Sequence, residues 1–586
     1  MPKRWRVHPH DAAEIRALEV SARVPFVVAQ MLICRGIRDA TQARTFLEPK
    51  LSDLRDPDLM PGVPEAADRL IAAVRDHRKI VVYGDYDVDG MTATSILMIC
   101  LRLLGGEVTT YVPHRIDEGY GLNAEALRTL AERGANVVVT VDCGIASIAE
   151  ADVARELGLE LIITDHHMLA DRLPSAAAIV HPRLPGTAYP FGELCGAGVA
   201  FKLAWAVCQR ANQAKKVSDR MRDFLVQAVG LVALGTVADV VPLIDENRII
   251  VKHGLCSLRH QPTLGMAALL RVTGLDQKSE LSAEDIAFTL APRLNAAGRL
   301  GQASLGVELL TTDNAERASA LAEYLNELNS SRESLERSIY LAANKQALEQ
   351  FDPERDAARV FAGRGWHAGV IGIVASRLVE KFHRPVVIIS LDELGLKPGC
   401  GSARSVPGFD LHAALCACTD TLLAHGGHAY AAGLKIDPTR VDQFRASFVD
   451  HAAGEISTSS RTAELRIDAE VPFSSLSAEA VQLLERLAPF GSGNPRPMLC
   501  ATNVSLAEPP KKIGNGERHL SLRLHQHGTR LRSVAFGGGE WADAISAVDG
   551  ELAVAFRPVI NDYKGRRNVE LHLCDWHPAA VPAAAT

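Results

Sequence analysis

Residues 79–90, Lys-Ile-Val-Val-Tyr-Gly-Asp-Tyr-Asp-Val-Asp-Gly, constrain the fold more than any other stretch. Ile80, Val81, Val82 and Tyr83 form a short, mostly β-branched run that reads as a buried strand. Gly84 ends it, and Asp85, Asp87 and Asp89 follow at every second position before Gly90. Through residues 91–104 apolar side chains recur at helix spacing, and Gly105-Gly106 closes that helix. Three carboxylates on one strand-to-helix turn repel one another unless cations neutralise them. Dense carboxylate oxygen suits hard divalent ions such as Mg²⁺ or Mn²⁺. An EF-hand loop opens with the same Asp-x-Asp-x-Asp-Gly, but its twelfth position needs a bidentate Glu, and Ile96 stands there. A solvated acidic turn is the plain alternative, and recurrence further along weighs against it.

The same device returns. Residues 107–112 read as a second strand leading to His114-Arg115, and residues 136–141 as a third ending in Asp142-Cys143-Gly144. Residues 161–164 read as a fourth, ending in Asp165-His166-His167. Strands alternating with helices imply a parallel sheet, and ligands gather beyond the carboxyl ends of such strands. Three strands delivering Asp or His to that edge point to a metal site. Asp239 follows an apolar helix at 224–234 and either caps the next turn or completes the cluster.

Residues 291–299, Ala-Pro-Arg-Leu-Asn-Ala-Ala-Gly-Arg, read as a loop. Residues 314–350 read as a long helix with Leu321, Leu325, Leu328, Leu335, Ile339 and Ala342 on one stripe and a candidate break at Asn329-Ser330-Ser331. A second α/β unit follows, with strands at 359–362 and 385–389 and a helix at 370–381. Its glycine-rich turns, Gly399 to Arg404 and His425-Gly426-Gly427-His428, either serve tight turns or let backbone N–H groups approach a phosphate. Beyond Glu455 a Ser/Thr-rich linker gives way to alternating strands around Leu520, Leu552 and Val569, with Lys564-Gly565 as a hairpin turn. Lys511, Lys512, Arg518, Arg523, Arg530, Arg532, Arg557, Arg566 and Arg567 run through them. An oligonucleotide-binding barrel and an ordinary solvated surface both fit.

At 586 residues the chain exceeds one core. Its net charge of -7 requires any basic track to be local. Eleven cysteines without a Cys-x-x-Cys pair indicate neither a zinc site nor a disulfide framework. The N-terminus lacks an apolar leader, and no run is expected to reach membrane-spanning length. A reduced, cytoplasmic protein with no membrane association is expected, and no feature suggests an oligomer.

The set Asp85 to Gly90, Val141-Asp142-Cys143-Gly144, Asp165-His166-His167 and Gly235 to Asp239 resembles the DHH phosphoesterase superfamily. With Arg293-Leu-Asn-Ala-Ala-Gly, Ser402-x-Arg404, His425-Gly-Gly-His and Phe490-Gly-Ser-Gly-Asn-Pro-Arg-Pro ahead of a β domain, the resemblance narrows to the RecJ family of single-strand-specific exonucleases. It spans roughly residues 50–575 and departs at Arg496, where the family pattern has an acidic residue. The resemblance implies two α/β domains, of DHH and DHHA1 type, joined by a long helix around a central cleft, plus a C-terminal OB-like β-barrel. The implied segments are 1–59 (helical), 60–270 (DHH catalytic), 271–350 (connecting loop and long helix), 351–455 (DHHA1-type) and 456–586 (OB-like).

It also implies two divalent ions, Mn²⁺ or Mg²⁺, roughly 3.5–4 Å apart. Asp85, Asp87 and Asp142 would hold one, and Asp89, Asp142, His166 and Asp239 the other. His167 would meet the scissile phosphate or leaving group, and Asp165 would orient its neighbours. Arg115, Arg293, Asn295, Ser402 and Arg404 would bind a 5′-terminal phosphate, with Gly426, Gly427 and His428 gripping the backbone. The implied activity is 5′ to 3′ removal of mononucleotides from single-stranded DNA in repair and recombination, with a single-strand-binding protein and a RecQ-type helicase as partners. Two other readings stay open: a DHH phosphatase on pyrophosphate, short oligonucleotides or cyclic dinucleotides, and a single-strand-binding scaffold that does not cut.

Overall fold

A computed structural model describes residues 3–115, 118–119, 121–187, 189–352, 356–456, 463–563 and 566–579. They form two compact units, one from residues 50–461 with 491–493, the other from 1–49, 462–490 and 494–586.

The first unit starts from a five-stranded, all-parallel sheet in the order Val108–Tyr111, Ile80–Tyr83, Val137–Val141, Glu160–Thr164, Ala178–Val180. Ile80, Val82, Val137, Val139 and Ile162 face one helical layer, and Val81, Tyr83, Val138, Leu161 and Ile163 face the other. A sheet covered on both faces needs apolar residues at successive positions, which is why these strands are legible as unbroken runs. The aspartates and histidines singled out above follow the ends of three adjacent strands, at one edge of the sheet. The helix Val88–Leu103 begins within the acidic turn, where the Asp87 carboxylate accepts from Gly90 N at 3.1 Å.

Three expectations change here. The helix before Asp239 is not 224–234 with a separate segment after it, but runs unbroken over Asp219–Ala238 with Asp239 as its C-cap. At 20 residues it is long and apolar enough to cross a membrane, contrary to the expectation that no run reaches that length, and 67% of its apolar window is buried inside the fold. Residues 291–299 are a helix, Ala291–Arg299, rather than a loop. Pro292 follows directly on the π-helical stretch Ile286–Leu290, where the regular hydrogen-bond ladder is already interrupted. Gly298 serves close packing, since a Cβ there would lie 2.0 Å from Tyr86 O.

The helix Ala315–Gln350 is continuous, without a break at Asn329-Ser330-Ser331; Ser330 Oγ donates to Asn326 O and Asn329 Nδ2 to Glu333 within it. Its first half buries Ala318, Leu321, Ala322 and Leu325 in the core of the parallel sheet. Its second half buries Ile339, Ala343 and Ala347 against Phe361, Val374 and Leu378 of the next α/β layer. Leu335 is exposed instead of joining the stripe. The second sheet runs Ala424–Gly427, Ala431–Ile436, Gly399–Arg404, Val386–Leu391, Arg359–Arg364, with only the last two parallel. The two glycine-rich stretches are therefore mostly strand rather than turn. Gly401 allows the cross-strand approach of Leu434, whose Cδ1 would be 2.7 Å from an added Cβ.

The second unit explains the N-terminal residues. They are not only helical: Arg4–Val7 is a strand pairing in parallel with Glu464–Ile467. Ile15, Leu18, Met31 and Leu32 share one core with Phe473, Leu484, Leu522 and Phe556 near the far end of the chain. A five-stranded barrel closes through Leu499–Ile513, which pairs with both His519–Gln526 and Leu552–Tyr563, while Thr529–Ala535 runs parallel to Arg566–Pro578. The expected hairpin turn at Lys564-Gly565 lies outside the described residues. Arg496, the departure noted above, donates to Glu485 and stacks 4.4 Å over Phe490.

Candidate metal centre

Three overlapping sets of side chains bring ligand atoms within 4.8 Å of one another: Asp85, Asp87 and Asp142; Asp89, His166 and Asp239; Asp142, His166 and His167. His166 Nε2 stands at the junction, 3.1 Å from Asp142 Oδ1, 3.7 Å from Asp239 Oδ2 and 3.9 Å from Asp89 Oδ2. The six residues expected as ligands are thus gathered at one place.

Neighbouring backbone shapes the cluster, and sequence reasoning missed these contributors. Asp89 is fully enclosed, and its two oxygens accept from Gly196 N at 2.6 Å and Ala197 N at 2.8 Å, at the start of the helix Gly196–Ala211. A helix N-terminus favours a carboxylate there. Gly196 must be glycine because a Cβ would lie 2.5 Å from the Asp142 carboxylate. The Cys-Gly-Ala-Gly sequence carries no sign of this role. Asp142 itself holds a left-handed backbone, φ 63°, which Asp tolerates better than most residues.

Electrostatics argue for cations. Burial, then the charge of Asp87, pushes the Asp85 carboxyl well above its usual range. Burial with Asp89, Asp87, Asp85 and Asp239 does the same to Asp142. Asp239 is raised to about 8 by burial, Asp89 and Asp87. Burial also lowers His166 to about 4, which keeps its ring neutral with a lone pair available to a metal. Asp85 Oδ1 and His166 Nε2 are enclosed yet make no hydrogen bond. Buried oxygen and nitrogen acceptors without donors, in a set that repels itself, fit divalent ions of the Mn²⁺ or Mg²⁺ kind.

Asp165 takes a different part. It accepts from Ile145 N, His166 N, His167 N and His167 Nδ1, the last at 2.7 Å. Burial would raise its pKa, but the hydrogen bond and charge of His167 hold it below the usual value. His167 in turn rises to about 9: burial opposes its charge, and the Asp165 contact outweighs burial. Its ring is therefore cationic and half-exposed beside the cluster.

Beyond the acidic turn the charge changes sign. The Arg115 guanidinium lies 4.7 Å over the Tyr86 ring. Arg299 is pushed down to about 10 by burial and then by Arg115, Arg332 and Arg404, with Asp87 as the opposing charge. Its Nη1 donates to Gly369 O at 3.3 Å. Arg404 donates to Ser402 Oγ at 3.1 Å. Arg293, expected in this pocket, turns to Asn326 Oδ1 and Thr289 O, and Asn295 accepts from Val88 N at 3.3 Å, bracing the acidic turn. Arg299 was not singled out from sequence, although it ends the same Arg-Leu-Asn-Ala-Ala-Gly-Arg motif. Gly426, Gly427 and His428 lie on or beside the edge strand Ala424–Gly427, with Gly426 and Gly427 open at that edge.

Val240 follows Asp239 with φ 62°. A left-handed backbone costs a residue other than glycine roughly 1–2 kcal/mol, and more for a β-branched one.

Residues 79–236 match the DHH family N-terminal domain, 357–454 the DHHA1 domain and 467–575 the RecJ OB domain. The single-stranded-DNA-specific exonuclease RecJ of Bacillus subtilis is 37% identical over 98% of this chain and 70% of its own length. The chain belongs to the RecJ family. A crystal structure of RecJ with Mn²⁺ from Thermus thermophilus superposes with a TM-score of 0.82 at 32% identity, covering 98% of this chain and 79% of that one. The same protein with Mg²⁺ superposes at 0.76 and 31% identity, covering 98% of this chain and 78% of that one. The DHH match stops three residues short of Asp239, so one member of this chain's acidic cluster lies beyond that segment.

Proposed function

We propose that this chain is a metal-dependent exonuclease that shortens single-stranded DNA from its 5′ end, releasing 5′-mononucleotides. One observation carries the reading: the carboxylate cluster adjoins a cluster of arginines. Asp85 feels the charge of Arg115, and Arg299 that of Asp87. An anion held by Arg115, Arg299, Arg404 and Ser402 stands beside the metal ligands, so a terminal phosphate anchored there presents a nearby phosphodiester for cleavage.

Asp85, Asp87 and Asp142 would hold one ion, and Asp89, Asp142, His166 and Asp239 a second. Two such ions supply an activated water and neutralise charge at the attacking and leaving oxygens. The chain's own residues do the rest. Asp165 orients the His167 ring through Nδ1 and favours its protonated form, so that Nε2–H would face the phosphate or the departing oxygen. Gly196 N and Ala197 N hold Asp89 in place, and Asn295 holds the turn that carries Asp85 and Asp87. Gly426, Gly427 and His428 would contact the strand backbone, with Arg293 acting through Asn326. Arg523 and Arg532 sit opposite each other on adjacent barrel strands, each beside a glutamate, and would meet strand phosphates, so affinity falls with salt. A single-strand-binding protein and a RecQ-type helicase as partners, a monomeric state and a cytoplasmic location belong to the same proposal.

The test uses 5′-labelled and 3′-labelled single strands with Mn²⁺, with Asp142→Ala beside the wild type. Immediate release of labelled mononucleotide from the 5′ end alone, abolished by the substitution, is expected. Release from the 3′ end, or intact strands with rapid hydrolysis of pyrophosphate, refutes the reading.

A further inference from the structure

Two exposed apolar side chains border the acidic cluster and belong to no core. Val240 directly follows Asp239 and is 67% exposed, while Val237, Ala238 and Val241 around it pack onto the main core. Met168 directly follows His167 and is 69% exposed. His166 Nε2 lies 3.7 Å from Asp239 Oδ2, and the charge of His167 acts on Asp239. Met168 and Val240 thus each lie next in the chain to a residue of the same cluster.

Val240 is also strained. It holds the left-handed backbone just after a helix end, where glycine is the favoured residue and a β-branched one an outlier. Packing inside the protein does not account for the valine, because its side chain points outward. Strained positions of this kind collect at ligand sites. Beside a cluster that cuts phosphodiesters, the apolar surfaces available to Val240 are the sugar and the base face of the nucleotide being removed.

We propose that Val240 and Met168 form an apolar seat for the base of the departing nucleotide. The inference rests on the single-strand exonuclease reading above. Dispersion contact carries none of the donor and acceptor pattern that distinguishes bases, so the seat orients every terminal nucleotide alike without selecting among them. The base rests on Val240 and Met168 while the phosphates lie on the arginines and the acidic cluster. The seat therefore acts on productive placement rather than on the chemistry.

A cycle of two perturbations tests it. The kcat/KM is measured for wild type, Val240→Gly and Met168→Ala on a 5′-phosphorylated strand with an ordinary terminal nucleotide. It is measured again on the same strand with a terminal abasic tetrahydrofuran. Each substitution is expected to lower kcat/KM by about 3- to 10-fold through KM on the ordinary strand and by less than about 2-fold on the abasic one. Val240→Gly should be at least as heat-stable as the wild type, since glycine relieves the strain. An equal loss on both strands overturns the seat by placing the effect in the geometry of Asp239, and so does no loss on either. A wild type that shortens neither strand refutes the exonuclease reading itself and the seat with it, whereas normal shortening with unchanged variants refutes the seat alone.

Discussion

Gly235→Ala should loosen the metal centre without replacing a ligand. Gly235 lies in the helix Asp219–Ala238, and a Cβ added there would lie 2.5 Å from Asp89 Oδ1, 2.7 Å from Thr92 Oγ1 and 2.9 Å from Ala197 Cβ. Asp89 cannot swing away, because two backbone N–H groups of the neighbouring helix hold its oxygens. The helices must separate, by roughly 0.5–1 Å to restore normal contacts. Overpacking of this kind costs about 1–3 kcal/mol, and alanine returns about 1 kcal/mol of helix propensity. The metal-free variant should therefore be destabilised by about 0–2 kcal/mol. The effect on metal should be larger, since metal–ligand distances tolerate about 0.2 Å and lost support around a ligand costs about 10–100-fold in affinity. Mn²⁺ titration of exonuclease turnover, with thermal unfolding alongside, reads both quantities. A variant that melts higher than wild type with an unchanged Mn²⁺ midpoint would show that Asp89 is not confined as described.

Lys202 and Glu246 are fully buried and 2.6 Å apart, with Tyr189 and Arg55 on the same carboxylate. Lys202→Met should cost about 3 kcal/mol in denaturant unfolding, because it removes the buried cation at 2.6 Å and leaves Glu246 only the more distant Arg55 guanidinium at 3.4 Å, and Lys202→Met/Glu246→Leu should recover most of the loss. Glu160 is half-buried between Arg69 and Arg78. Burial raises its pKa, but the two arginines hold it below 4.5. Its stabilising effect is therefore present above that value and lost as pH falls through the lower folded value, so the melting difference between wild type and Glu160→Gln should close in acid. Arg299→Ala should raise KM about 10–100-fold on a 5′-phosphorylated strand, the scale of a lost hydrogen bond to a charged group, and far less on a 5′-hydroxyl strand in the same steady-state assay.

The metal cluster is legible in the sequence because each part is local. A β-branched run names a strand, and the Asp or His that follows it must lie at that strand's end. The supporting structure is not local. Gly196 N and Ala197 N reach Asp89 across more than a hundred residues, and nothing in their own neighbourhood announces a carboxylate. Glycine misleads for a related reason. At Gly298, Gly401 and Gly196 it marks close approach of another segment, yet in sequence it reads as a turn. That ambiguity turned the helix Ala291–Arg299 into an expected loop and the strand Gly399–Arg404 into an expected turn. The strand Arg4–Val7 was hidden because its partner lies at Glu464–Ile467.

The account stands on Asp142 being shared between two ions. Calorimetric titration of the metal-free protein with Mn²⁺ tests this most directly, on wild type, Asp142→Asn and Asp239→Asn. Two equivalents should bind the wild type, Asp239→Asn should keep one of them near its original affinity, and Asp142→Asn should weaken both. Two undisturbed equivalents in Asp142→Asn, or fewer than two in the wild type, would contradict it.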